Sequence, residues 1–403
     1  MLPYLTAESP GCGGVIKSAP EDFVVEEIPR YAACGDGTHL YLTIEKRGLT
    51  TPAVVQRIAR ALGRKPADIG YAGMKDAQGV TRQRLSIEHV DPQRLLALQI
   101  DGVRILDVTR HTNKLRIGHL AGNRFDIRLR GCSAGAAEIA TAVLDVLARR
   151  GVPNYFGPQR FGRRNRNAEV GLAALAGDYP AAFAWLLGRP EASDAPAEHT
   201  ARTLYDAGGL PGCARAWPAH CRDEARWTHV VAQREAGPAA WRTLDRRLRT
   251  LFYSAAQSAV FNGVLARRIA VLDRLRDGDI AWKHANGACF SVETAAAEQE
   301  RCTRFEISPT GPIPGAKMST PTGAPAEIEQ TICAEVGLPE IPRRSPDGIT
   351  LDGARRPLRV PLENHKVESG DDAAGEYLRL QFSLPAGAYA TSLIREITKS
   401  PDA

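Results

Sequence analysis

Leu40-Tyr-Leu-Thr-Ile-Glu45, followed by Thr51-Pro52 and an apolar stripe at Val55, Ile58 and Leu62 that Gly63 closes, decides how the chain is built. Leu40, Leu42 and Ile44 alternate with Tyr41, Thr43 and Glu45, the period-two pattern of a strand with one buried face. Thr51 as N-cap and Pro52 as first residue then open a helix, and the glycine ends it. The same alternation returns in Phe125-Asp-Ile-Arg-Leu-Arg130 and in Leu378-Arg-Leu-Gln-Phe-Ser-Leu384. Ile139, Val143, Val146 and Leu147 predict a second helix, ended by Gly151 and Pro153. Tyr389 to Thr398 predicts a third. The two ends of the chain therefore read as mixed α/β (α+β).

The middle differs in composition. All five tryptophans (Trp185, Trp217, Trp227, Trp241 and Trp282) fall there, and none in the flanks. Phe252, Ala256, Val260 and Val264 recur every four residues and predict a helix between Phe252 and Leu275. Asn286-Gly287 between two short apolar runs predicts a hairpin turn. Glu191 to Pro238 reads as loops and short helices. The prolines and glycines of 308–325 (Pro309, Gly311, Pro312, Pro314, Gly315, Pro321, Gly323, Pro325) read as a loop. The strand at 378–384 has too few neighbours of its own, which points to an insertion. Residues 1–154 and 358–403 are expected to form one discontinuous domain, and 155–357 an inserted one. No internal repeat is evident.

A chain of 403 residues fits two or three domains. Hydrophobic residues make up 43% and charged ones 24%, which excludes wholesale disorder and coiled coil. Mean hydropathy is −0.26, and no stretch approaches the ~20 apolar residues of a membrane span. The N-terminus lacks the basic and apolar regions of a signal peptide, so a cytoplasmic protein is expected. A net charge of +6 and a pI near 8.9 lean mildly toward a polyanionic partner. The eight cysteines form no C-x-x-C. Cys213, Cys221, His220 and His229 match no standard zinc spacing, so no metal is expected.

The densest unusual stretch is Gly70-Tyr-Ala-Gly-Met-Lys-Asp-Ala-Gln-Gly-Val-Thr-Arg-Gln83. Its small residues permit tight turning and close approach of a ligand. Lys75-Asp76 presents a carboxylate among basic residues, and a held, ionised carboxylate can act as a nucleophile. Lys17-Ser-Ala-Pro-Glu-Asp-Phe-Val-Val-Glu26 places an aromatic, Phe23, after a proline-initiated turn. Asn123 and Phe125, two apart at the start of a strand, share a face. Pro153-Asn-Tyr-Phe-Gly-Pro-Gln-Arg-Phe-Gly162 runs into Arg163, Arg164 and Arg166. With Arg160 they form a basic run without an acid, flanked by Tyr155, Phe156 and Phe161, which suits RNA phosphates and stacked bases.

Together with Gly122-Asn-Arg-Phe125, Ser254–Asn262 and Leu384-Pro-Ala-Gly-Ala-Tyr-Ala-Thr-Ser-Leu-Ile-Arg-Glu396, these stretches are similar in order and spacing to the TruD family of tRNA pseudouridine synthases. The resemblance is good over residues 11–166 and 376–397, patchy over 250–320, and nearly absent over 167–249 and 321–375. Gly79 stands where the family usually has Ala, and Tyr389 where it often has Phe. The resemblance implies a pseudouridine-synthase mixed-sheet core interrupted by a TRUD-type α/β domain. It implies isomerisation of uridine to pseudouridine in tRNA, in bacteria at position 13, without cofactor or metal. Asp76 would attack the flipped nucleotide at ribose C1′ or at the base. Lys17 would pair with Asp76, while Phe23, Asn123, Phe125 and Tyr389 would hold the target.

Elementary chemistry agrees. Isomerisation needs no redox carrier, and the chain has no Walker or dinucleotide-binding glycine motif. Stacking on a ring, at roughly 1–3 kcal/mol, can offset the cost of flipping a base. Asn123 offers a donor and an acceptor to a uracil edge. Two other readings compete: a non-catalytic RNA-binding protein on the same scaffold, and a carboxylate-based nucleosidase or glycosidase. The latter would draw a second carboxylate from Glu21, Asp22 or Glu26. The expected partner is tRNA, with no membrane and a monomeric state.

Overall fold

A computed structural model describes residues 2–400. The chain divides into two compact units. One comprises Tyr4–Val152 with the residues from Val360 onward, and the other Pro153–Arg359 with Leu2 and Pro3. Among the described residues no helix is long and apolar enough to cross a membrane.

The first unit opens with β1 (Gly13–Val15), β2 (Phe23–Pro29) and β3 (His39–Arg47), then α1 (Thr51–Leu62). The short strand β4 (Gly70–Tyr71) precedes β5 (Val80–Glu88), α2 (Pro92–Leu96), β6 (Val103–His111), the long β7 (Leu120–Cys132) and α3 (Ala136–Arg150). The chain leaves through β8 (Val152–Pro153).

The second unit carries α4 (Pro158–Phe161), α5 (Asn167–Leu175), α6 (Tyr179–Leu187), α7 (Pro196–Asp206), α8 (Leu210–Ala216), α9 (Arg222–Arg234) and α10 (Pro238–Trp241). Of these, α4 and α5 pack on α11 (Arg246–Arg268), α6 packs on α5, and Trp241 is fully buried against Tyr179, Phe183, Phe252 and Tyr253. The stretch 191–238 is thus more helical than its composition indicated. β9 (Ile280–Lys283) and β10 (Cys289–Ser291) pair antiparallel around the Asn286-Gly287 turn, ahead of α12 (Ala295–Thr303). The expected loop at 308–325 holds over 314–322, but α13 starts at Gly323 (Gly323–Val336), and the first part belongs to a buried strand, β11 (Ile307–Ile313). Its prolines are accommodated because it changes partners midway, from β9 at 307–309 to β12 (Ala354–Pro357) at 310–313. Gly311 lies flat on Phe261 of α11, where a Cβ would come within 3.0 Å of the ring.

The chain returns through β13 (Arg359–Val360) to β14 (Glu363–Asp372), β15 (Gly375–Pro385) and α14 (Ala390–Thr398). A nine-stranded sheet results, in the order β14-β15-β7-β2-β5-β3-β6, with β1 on β7 and β4 on β5. The β2–β5 pair is parallel. Register sets the faces. Phe125 lies opposite Phe382 and Val25, and Ile127 opposite Leu380 and Phe23. All six bury with Leu144, Leu147, Leu393 and Ile397 of α3 and α14. Leu40, Leu42 and Ile44 bury with Leu85, Ile87 and the Val54, Val55 and Ile58 stripe of α1. Val25 and Lys46 both pair with Thr81, so the two apolar clusters occupy the same face. Between them runs a polar seam of Lys46, Thr81, Gln83 and Thr51, all buried.

The opposite face carries Arg124, Asp126, Arg128 and Arg130 of β7. Fully buried Asp22 accepts from Ala19 N at 3.1 Å and from Arg130 at 2.7 and 2.8 Å; Arg130 also holds Asp372. The Arg130 hydrogen bonds keep the Asp22 carboxyl below its ordinary range. A depressed carboxylate stabilises the fold above its unfolded pKa, and that contribution disappears as pH falls through the folded value. Asp22→Ala should therefore cost about 3 kcal/mol at neutral pH, the low end for breaking a buried pair, since Arg130 keeps Asp372. Urea titrations of both proteins should show the difference shrinking below about pH 4.

Candidate active site

Asp76 sits exposed in the loop between β4 and β5, and buried side chains from the seam fix that loop from behind. Thr51 Oγ1 accepts from Lys75 N at 2.9 Å and donates to Gln83 Oε1 at 2.8 Å. Gln83 Nε2 reaches Gly73 O at 3.4 Å. Lys46 Nζ, on a side chain only 1% exposed, donates to Asp76 O and Leu49 O, each at 2.6 Å. Burial pushes the Lys46 ammonium down to about 8, against the pull of the Asp76 charge. The helix N-cap is Thr50, whose Oγ1 accepts from Ala53 N. Thr51, expected in that role, is released to hold the loop.

The neighbouring strands complete the site. Lys75 Nζ pairs with Glu27 at 3.1 Å, and burial raises the Glu27 carboxyl despite that partner. Glu27 is the register partner of Asn123, which also lies beside Leu384. Asn123 Oδ1 is buried without a hydrogen-bond partner. A buried acceptor left open costs free energy unless a ligand fills it. Phe125 stacks on Phe382 at 5.2 Å and meets Phe23 edge-on at 6.4 Å, so both expected rings belong largely to the core. Tyr389, half-buried, is the N-cap residue of α14, four residues after β15 ends beside Asn123. Lys17, at φ 61°, places Nζ over the Phe23 ring at 4.6 Å. Among the described residues no ion pair joins it to Asp76; the ammonium bound to the Asp76 segment is that of Lys46.

The arginine run differs from its sequence reading, because acids distant in sequence neutralise it. Arg163 pairs with Glu198, Arg164 with Asp194 (2.9 Å), and Arg166 with Glu191 (2.8 Å) and Glu169 (3.0 Å). Arg160 donates to Ser254 Oγ and lies over the Phe156 ring. Tyr155 and Phe156 are buried rather than presented as platforms. Of the four residues weighed for a metal, His220 and Cys221 approach each other beside Glu198, whose oxygens already hold Arg163 and His220. Cys213 and His229 turn to Thr228 and Gln233.

Lys46, Thr51, Gln83 and Glu27 were missed by the sequence reading. Lys46 had a signal. It continues the Leu40, Leu42, Ile44 alternation, so a strand extended by one more step puts an ammonium on the apolar face.

The family model for tRNA pseudouridine synthase D (TruD) matches residues 2–397. The chain is 48% identical over 399 residues to tRNA pseudouridine synthase D of Geobacter sulfurreducens, covering 99% of this chain and 97% of that one. It is 39% identical over 400 residues to its namesake from Thermus thermophilus, covering 98% and 92%. A solved TruD structure from Methanosarcina mazei superposes with a TM-score of 0.83 at 27% identity, covering 99% and 96% of the two chains.

Gly79 ends the Asp76 loop at φ 138°, and a Cβ there would lie 2.4 Å from Phe23 O. An alanine therefore has to move the loop or the strand carrying Phe23. Gly79→Ala should lower stability by about 1–3 kcal/mol and reduce turnover by a larger factor than that loss explains. Thermal melts and single-turnover assays on the same preparation would check this.

Proposed function

Because the chain belongs to the TruD family of tRNA pseudouridine synthases, enzymes that isomerise uridine to pseudouridine in tRNA, we propose that Asp76 is its nucleophile. The target is a uridine flipped out of its stack, taken to be position 13. Attack at C1′ forms a C1′–O ester as the N1–C1′ bond breaks and its electron pair leaves with uracil. The base turns, C5 bonds to C1′, and the carboxylate is released. C5 loses a proton and N1 gains one, so the product has the mass of the substrate and no co-reactant is consumed. Attack at the base would use the same carboxylate. The observation that carries this reading is an exposed carboxylate on an immobilised loop, beside Lys75, whose ion pair reaches Glu27, the register partner of Asn123 with its open acceptor Oδ1. That oxygen suits the N3–H of a uracil.

In this reading Phe23, Phe125 and Tyr389 would hold the flipped nucleotide, and Lys17 and Lys46 would supply positive charge. The carboxylates of a hydrolytic alternative are engaged otherwise: Glu21 with Arg47, Asp22 with Arg130, and Glu26 with Arg124 on the sheet's other face. We read Pro153–Arg359 as the inserted TRUD-type domain of a monomeric, cytoplasmic enzyme that uses no cofactor. Within it Arg163, with a side chain 68% exposed, is the member of the arginine run best able to share its guanidinium with a phosphate.

Asp76→Asn should abolish pseudouridine formation while leaving folding and tRNA affinity nearly intact, because the charge serves chemistry more than docking. Carbodiimide mapping of tRNA and a filter-binding isotherm would measure the two. Turnover within about tenfold of the parent would remove Asp76 from the role.

A further inference from the structure

The least expected polar group in the catalytic unit is the Lys46 ammonium. Its strand, β3, is apolar on this face at Leu40, Leu42 and Ile44, and the side chain is 1% exposed. Burying a charge is costly unless its hydrogen bonds are made. Here Nζ has three oxygen partners, Asp76 O and Leu49 O at 2.6 Å and Thr81 Oγ1 at 3.4 Å. Two of the three are main-chain carbonyls on different segments, the Asp76 loop and the turn that enters α1. The ammonium therefore ties the nucleophile's own peptide unit to the rigid strand–helix corner.

Building on Asp76 as the nucleophile, we propose that Lys46 is a positioning residue of the isomerisation: its charged Nζ sets the backbone of Asp76 and so aims the carboxylate. The clamp works only while Nζ is protonated. A neutral amine keeps fewer donors and loses the charge that makes the carbonyl bonds strong. The groups facing Nζ are few. Asp76 and Lys75 come from the loop, Lys75 being neutralised by Glu27 of β2; Thr81 and Gln83 of β5 and Thr51 of α1 are uncharged. Glu45 and Arg47 of β3 point to the other face, toward Arg82, Arg104 and Glu21.

With a folded value of about 8, Lys46 loses its proton well below the pH at which an ordinary lysine does. The unfolded chain then binds more protons than the folded one between about pH 8 and 10.5, so this group makes the fold more stable as pH rises through that window. Activity should move the other way, which separates a loss of positioning from a loss of structure.

The test is the pH dependence of kcat on tRNA transcript, measured between pH 6.5 and 9.5 for the parent, Lys46→Arg and Lys46→Met, with Asp76→Asn alongside. The parent should lose activity with a midpoint near 8 and no matching fall in melting temperature. Lys46→Arg, charged throughout, should lack that limb, keeping only the ionisation of uracil common to both proteins. Lys46→Met should lose kcat on the order of 100-fold with KM little changed, as a small misplacement of a reacting group does. A parent profile flat to pH 9.5, or a limb near 8 that survives in Lys46→Arg, would overturn the proposal. So would parent-like turnover in folded Lys46→Met. The parent profile decides the matter even where a variant does not fold. Activity in Asp76→Asn would instead sink the nucleophile reading, a result distinct from all of these.

Discussion

The pairing of β7 with β15 is the constraint on which the catalytic unit rests. Nine successive register pairs, from Tyr377↔Arg130 to Pro385↔Gly122, join strands from opposite ends of the chain. β15 brings Leu378, Leu380, Phe382 and Leu384 to the core under α3 and α14. It also delivers α14, with Tyr389 at its start, beside the end of β7 that carries Asn123. Without β15, Phe125 would lose the ring it stacks on, and the site would lose one wall.

A sheet with its helices on one face would ordinarily fill that face with apolar side chains throughout. Here the filling stops at the middle strands, where Lys46, Thr81, Gln83 and Thr51 replace it. The seam is costly to bury, and it is fully bonded. These groups spend their hydrogen bonds on the Asp76 loop, on one another and, from Lys46, on Leu49 O at the turn into α1. Preorganisation of the carboxylate thus comes from strands and a helix end rather than from the loop itself, whose small residues could not hold one conformation alone.

The elements legible from sequence were mostly those with one wet and one dry face or a clear turn signal: β3, α1, β7, α3, α11, the β9–β10 hairpin, β15 and α14. The α/β character followed from them. β14 was illegible because it is an edge strand, largely exposed, with no apolar period in Glu363–Asp372. β11 was read as a loop because proline and glycine suit turns, yet its change of partner and its contact with Phe261 depend on tertiary packing. At the site, the glycine-rich motif pointed to the Asp76 loop, which ends against Phe23, and the Asn123–Phe125 spacing to a ring that meets that of Phe23. Lys17 was expected on Asp76 and lies on Phe23. The arginine run looked uncompensated because three of its acids, Glu191, Asp194 and Glu198, lie 25 or more residues later and no local pattern records such pairing, while Glu169, three residues after Arg166, falls just outside the run.

The distance in sequence between β7 and β15 also has a bearing on synthesis. β7 leaves the ribosome long before its partner exists, and at ~5–20 residues per second the intervening roughly 250 residues take about 10–50 s. Throughout that interval one edge of β7 is an unpaired template, flanked by the bare apolar side of β2 and α3. Such an edge invites pairing with other chains. Its alternating Arg124, Asp126, Arg128 and Arg130 place a charge at every second position along the strand, a pattern that discourages a stray strand while still admitting Gln381 opposite Asp126 and Arg379, opposite Arg128, in a diagonal pair with Asp126. The same ion pairs that finish the sheet thereby act earlier as its guard.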